Sequence, residues 1–226
     1  MVNTTVKKEA FDFLKKLETN NNREWFAEHK DKYKLHETDV KSFYGSVMEH
    51  LNKHDQIEKL KMFRIYRDVR FSKDKTPYKS HFAGSFSRAG AERRGGYYLR
   101  LKPSETFIAT GFWDPNKEDL HRIRKELEVD ASNFRKIISN TDFKKTWGEL
   151  QGDAVKTAPK GFDKEHQEID LIRQKQFIFV RNFSDKEVLS KDFLNQVDNS
   201  FKAIRPYFDL MSSILTTNLN GESLIG

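Results

Sequence analysis

Over the first sixty residues the apolar positions recur every three or four. Phe11, Leu14 and Leu17 form one such run, and Val40, Phe43, Tyr44, Val47, Met48 and Leu51 form a longer one. That spacing predicts amphipathic helices whose stripes face a core. Between the runs, "NNN" at 20–22 is a break, and Asn21 with Glu24 three residues on predicts a capping box that opens the second helix. Trp25, Phe26, His29 and Tyr33 then share one face of that helix.

From Phe63 the period changes to two. "FRIYRDVRF" puts Phe63, Ile65, Arg67, Val69 and Phe71 on one face and Arg64, Tyr66, Asp68 and Arg70 on the other, which predicts a strand over 63–71. "HFAGSFS", "YYLRLKP" and "TFIATGFW" read as further short strands joined by turns, an antiparallel meander. "WDPNKEDL" predicts a helix start with Asp114 as cap and Pro115 at its first position. Helical spacing returns at Leu120, Ile123 and Leu127, at Phe134, Ile137 and Ile138, and at Phe143, Trp147 and Leu150. "QFIFVRNF" predicts one more strand, Ser184 with Glu187 a second capping box, and Arg205-Pro206 a kink or restart in a helical C-terminal stretch. Helices, strands and helices again, with no linker or repeat between, predict an α+β fold. Its central antiparallel meander is covered by N-terminal and C-terminal helices, in one domain over residues 1–226.

Composition narrows the functional classes. The chain has 226 residues, enough to bury a core without metal or disulfide, and 19 Phe, 7 Tyr and 3 Trp to fill it. No cysteine is present, which excludes disulfides, thiolate metal sites and cysteine nucleophiles. "MVNTTVKKEAFDFL" has no apolar signal-like core and no run could span a bilayer, so a cytoplasmic protein without membrane partners is expected. Nucleotide-binding glycine loops, "HExxH" and "GxSxG" are all absent. His50 and His54 have the i, i+4 spacing of metal ligands but no carboxylate in helical register, so no metal and no cofactor is expected.

Charge changes the picture more. The net charge is +7, yet residues 61–102 carry twelve Lys or Arg against three acids, so that segment alone is +9 and the remainder is −2. A basic block in a near-neutral chain points to an anionic partner. Its densest part is "RIYRDVRFSKDKTPYK", residues 64–79. Arg67, on the apolar face of the expected strand, must be buried and paired. Arg64, Arg70, Lys73, Lys75, Lys79 and His81 are expected to converge on a concave anion site, with Asp68 orienting the guanidinium groups and Tyr66 supplying a hydroxyl. Asp68 and His81 are the candidate acid/base pair. Trp25 and Trp113 read as core anchors.

The run "RIYRDVRFSKDKTPYK", with "NNNREWF" before it and "GFWDP", "LHRIRKEL" and "APKGF" after it, resembles the bacterial family of conserved hypothetical proteins catalogued as domain of unknown function 2461. The resemblance extends from about Phe11 to about Phe208. It implies a single α+β domain and carries no reaction, cofactor or catalytic residue.

The expected function is therefore binding of a phosphorylated or carboxylated small molecule at the basic site, with any reaction unspecified. One alternative is a nucleic-acid binder that stacks bases on Tyr66, Phe71, Tyr78, Tyr97 and Tyr98. Another is a structural protein whose basic block packs on acidic stretches such as "DKEHQEID". Sequence leaves the oligomeric state open.

Overall fold

The computed structural model describes residues 4–225. A five-stranded antiparallel sheet runs in the order β1 (Ile57–Met62), β2 (Phe82–Arg88), β3 (Gly96–Leu101), β4 (Thr106–Phe112), β5 (Phe177–Phe183). Helices α1 (Lys8–Thr19) and α2 (Arg23–Leu51) precede it. Three helices follow β4: α3 (Lys117–Val129), α4 (Ser132–Ser139) and α5 (Thr141–Trp147). The short α6 (Ile169–Ile172) precedes β5, and α7 (Asp185–Val188), α8 (Phe193–Ala203) and α9 (Arg205–Thr216) end the chain. The fold is α+β, as the alternation of periods predicts.

The chain forms two compact units. One contains the described residues up to Phe86, with Tyr98–Ile108 and Asn182–Asn199. The other contains Ser87–Tyr97, Ala109–Arg181 and the described residues from Ser200.

In the first unit α2 packs on the sheet because β2 carries a glycine where the helix crosses. A side chain at Gly84 would meet Tyr44 and the Met62 sulfur, each at 2.9 Å. Tyr44 is fully buried, and its hydroxyl donates to the Leu99 carbonyl at 2.9 Å, which satisfies the one polar atom the contact buries. The stripe expected on α2 is core at Val40, Phe43, Tyr44, Val47 and Leu51, and Phe43 stacks on Phe193 at 5.6 Å.

In the second unit α9 plays the corresponding part. Tyr207 is buried against Phe134 and Phe179, and its hydroxyl donates to the Phe177 carbonyl at 2.9 Å. Arg205-Pro206 does begin a new helix, with the proline in its first turn, where a missing N–H costs nothing. Ser184 and Glu187 form the predicted capping box.

Three local expectations are corrected. The first strand is Ile57–Met62, not 63–71, which is irregular apart from a single bridge at Tyr66. The cap of α2 is Asn22 rather than Asn21, its side chain accepting from the Trp25 N–H at 2.8 Å, and with Trp25 at the third helical position no capping box forms. The cap of α3 is Asn116, accepting from the Asp119 N–H at 2.8 Å, rather than Asp114.

Candidate functional site

The basic segment is the connection from β1 to β2, and it forms a hairpin-like excursion held at its base. Phe63 N–H donates to the Ala83 carbonyl at 2.9 Å, Lys79 N–H to Ile65 at 2.8 Å and Arg67 N–H to Pro77 at 2.9 Å, around an antiparallel Tyr66–Tyr78 bridge. Pairing stops there for two reasons. Pro77 has no N–H to return. Beyond it, Asp68 and Asp74 bind the local backbone themselves: Arg70 N–H donates to Asp68 at 3.3 Å and Thr76 N–H to Asp74 at 2.9 Å. Short acidic side chains that bind nearby N–H groups compete with a strand ladder.

The base of this excursion is clamped to α1 and α2. Asn21, displaced from the capping role, uses its side-chain amide as a strand would. Its Nδ2 donates to the Tyr78 carbonyl at 2.9 Å and its Oδ1 accepts from the Tyr78 N–H at 3.1 Å. Tyr78 stacks on Phe26 at 4.0 Å and Ile65 is buried. The site is thus held on a rigid helix.

Most of the cations are used within the loop. Arg67 donates to Asp74 and, at 2.7 Å, to the Thr76 hydroxyl. It is paired as expected but only partly buried, because it lies on a loop rather than on the covered face of a strand. Asp74, bonded first by the Thr76 backbone and then by Arg67, has its pKa lowered to about 2. Arg70 forks onto Asp68 at 3.0 and 2.6 Å, in the exposed tip. Asp68 therefore orients one guanidinium only. Lys75 donates to the Val69 carbonyl at 2.9 Å and Lys79 to the Arg64 carbonyl at 3.1 Å. Among the described residues, the Arg64 and Lys73 side chains make no hydrogen bond or ion pair.

Arg64 and Tyr66 face α2 across a small cleft of about 130 Å³, lined also by Phe26, Lys30, Tyr33 and Lys34. Glu37 lines it as well. Burial works to raise its pKa, but hydrogen bonds from Lys34 and Tyr33 and the charge of Lys41 outweigh burial and hold it below the ordinary value. Burial, then the bond to Glu37, pushes the Tyr33 hydroxyl well above its own. Both groups keep their neutral-pH forms, a carboxylate and a phenol. The cleft holds three cations against this one acid, and the acid is already bonded by Lys34 at 2.7 Å and Tyr33 at 2.9 Å. Burial and the neighbouring charges of Arg64 and Arg67 lower the pKa of Lys79.

Lys30 and Lys34 lie outside the basic block, so charge density along the chain does not point to them. The usable signal was Phe26, Lys30, Tyr33, Lys34 and Glu37 recurring at helical spacing along one face. Conversely, Arg70, Lys73, Lys75, Lys79 and His81 do not line this cleft, so of the expected anion-site residues it brings together Arg64 and Tyr66. His81 lies near three cations, Arg100, Lys79 and Lys102, and the acid that acts on it is Glu105 rather than Asp68. Burial, with Arg100, Lys79 and Lys102 nearby, lowers its pKa to about 4, so it is neutral at pH 7, while Asp68 is engaged with Arg70.

Other expectations resolve simply. Trp113 is 64 % exposed and anchors no core. His50 and His54 both reach Asp198, at 3.7 and 2.9 Å; no group of three or more His, Asp or Glu among the described residues is arranged to hold a metal ion. Within "DKEHQEID", Glu168 and Asp170 are bound by Arg135 at 2.8 and 2.5 Å. No helix among the described residues is long and apolar enough to cross a membrane.

Comparison with known proteins agrees with the motif resemblance. A family model described as conserved hypothetical protein (DUF2461) matches residues 9–210, and the chain belongs to that family. No curated protein matches the chain.

Proposed function

We propose that the protein binds a small molecule through a phosphate or carboxylate group seated in the cleft between α2 and the β1–β2 loop. One observation carries this reading. Arg64 lines the cleft beside Lys30 and Tyr66 and has no hydrogen bond or ion pair among the described residues, whereas Arg67 and Arg70 in the same loop are each matched by an acid. Arg64 and Lys30 are both exposed, and two cations lining one cleft give it a positive potential that a bridging anion would neutralise. The volume suits one such group, with the rest of the ligand outside.

A nucleic-acid reading has less to draw on. Tyr78 and Tyr97 are buried, which leaves Tyr66 and Phe71 as the rings most open to a base.

The test is a calorimetric and thermal-shift titration with inorganic phosphate, a sugar phosphate, a dicarboxylate and a short oligonucleotide. Arg64→Gln and Lys30→Gln should melt like the parent and lose about tenfold or more in affinity for the small anion that binds. Binding that survives both substitutions, or that is confined to the oligonucleotide and collapses with added salt, would overturn the proposal.

A further inference from the structure

We infer a second binding site, for a neutral saccharide, in the cleft beside Trp113. This site is independent of the anion site and does not rest on it. Trp113 follows the last residue of β4 and lies at the border of a cleft of about 270 Å³. Its neighbour Phe112 is buried, yet the larger indole is left 64 % exposed. An exposed indole forgoes a large burial gain, so its ring is available for a partner with an apolar face.

The rest of the cleft is built rather than incidental. Gly95 lines it at φ +87, and a side chain there would meet the Phe208 ring at 2.4 Å, so this stretch of wall stays bare backbone. Arg94 is held by Asp119, and Asp119 also accepts from Asn116 Nδ2 at 3.1 Å. These groups present planar donors and acceptors in fixed orientations. Asp114 adds a carboxylate with no hydrogen bond or ion pair among the described residues.

Charge then selects the ligand class. Two acids against one arginine disfavour an anion, the reverse of the Arg64 cleft. A quaternary cation is disfavoured as well, because there is one exposed ring rather than a cage and a guanidinium stands in the lining. A pyranose meets both requirements. Its C–H face stacks on the indole, while its hydroxyls both donate to Asp114 and accept from Arg94 or Asn116.

Trp147 is buried and Trp25 is half-buried against His29, so the part of the indole signal that disappears in Trp113→Ala is the readout of Trp113. The full chain is titrated with malto-, cello- and chito-oligosaccharides, and with choline and inorganic phosphate, while indole fluorescence is followed. At least one neutral oligosaccharide should give a saturable, salt-insensitive change. Trp113→Ala and Asp114→Asn should each weaken its binding about tenfold or more by calorimetry, at unchanged melting temperature. Arg64→Gln should leave it intact. No saturable change with any of the three sugar series, a response to choline alone, or sugar binding that survives Trp113→Ala overturns the assignment.

Discussion

Before β2 the chain places Arg64, Arg67 and Arg70; from the end of β2 onward come Arg88, Arg93 and Arg94. The second set is wholly absorbed. The Arg88 side chain is 1 % exposed, donates to the Arg94 carbonyl at 2.7 Å and to Ser212 Oγ at 3.3 Å, and lies over the Phe208 ring at 4.8 Å. Arg93 pairs with Glu92 and Arg94 with Asp119. The first set is absorbed only in part. Asp74 and Asp68 take Arg67 and Arg70, while Arg64 gains no partner from the helices among the described residues, whereas Asp119 of α3 and Ser212 of α9 reach the second set. Charge density is similar in the two connections, so density does not mark a binding site. The local supply of partners does, and only the first connection leaves a guanidinium unmatched beside a cleft.

The comparison breaks most readily at Arg88. Arg88→Ala should cost about 3 kcal/mol, since it leaves buried acceptors unsatisfied and opens a cavity. Chemical denaturation measures it, and a cost under about 1 kcal/mol would mean that the second set is no more structural than the first. Arg67→Ala should do less. Its pair is partly exposed and solvent-screened, so a drop of roughly 2–4 °C in melting temperature is expected. A drop as large as that of Arg88→Ala would return Arg67 to the buried role that the alternating pattern suggests.

Acid sharpens the same contrast. His81 has its pKa lowered from 6.5 to about 4. Between those values the unfolded chain binds the proton more readily than the folded one, so stability rises with pH there. His81 therefore contributes fully above about pH 6.5, and its contribution is lost as pH falls toward 4. Asp74, lowered from 3.8 to about 2, loses its contribution in the window below. Melting curves across pH should show two losses. The upper one should be smaller in His81→Gln, where His36, also lowered by burial, supplies the remainder. The lower one should be smaller in Asp74→Asn, where other lowered carboxylates such as Asp68 and Asp170 supply the rest. If His81→Gln keeps the upper loss in full, His81 is not a titrating group there.

Much of the architecture could be read directly from the sequence, because period-two and helical runs are imposed by which face is buried. The largest departure is at the β1–β2 junction. "IEKLKM" carries Glu58, Lys59 and Lys61 and does not look like a strand, yet it is the first strand in the sheet order and so an edge. Lysines on an edge strand discourage pairing with other chains, and the same residues hide the strand from a hydrophobic pattern. "FRIYRDVRF" alternates well but lacks a partner strand, since Pro77 and the two aspartates end the ladder opposite it. The site was half legible. Arg64 and Tyr66 could be named from the loop, whereas Lys30 and Lys34 lie a helix away, and only the docking of Ile65 and Tyr78 brings them together.

The smallest effect is expected at Phe71, which alternation assigns to a buried face and the structure leaves 98 % exposed at the tip. Around it the tip is fixed without its help, by Arg70 on Asp68 and Lys75 on the Val69 carbonyl. Phe71→Ser should therefore change stability by less than about 0.5 kcal/mol, the range of an ordinary surface substitution. Removing a solvent-exposed ring should also raise solubility. Anion affinity separates the cleft from the tip: with the anion held by Arg64 and Lys30, Phe71→Ser binds it as the parent does. A marked loss of affinity at unchanged stability would instead move the binding surface out of the cleft and onto the loop tip, with Arg70 and Lys73 beside the missing ring.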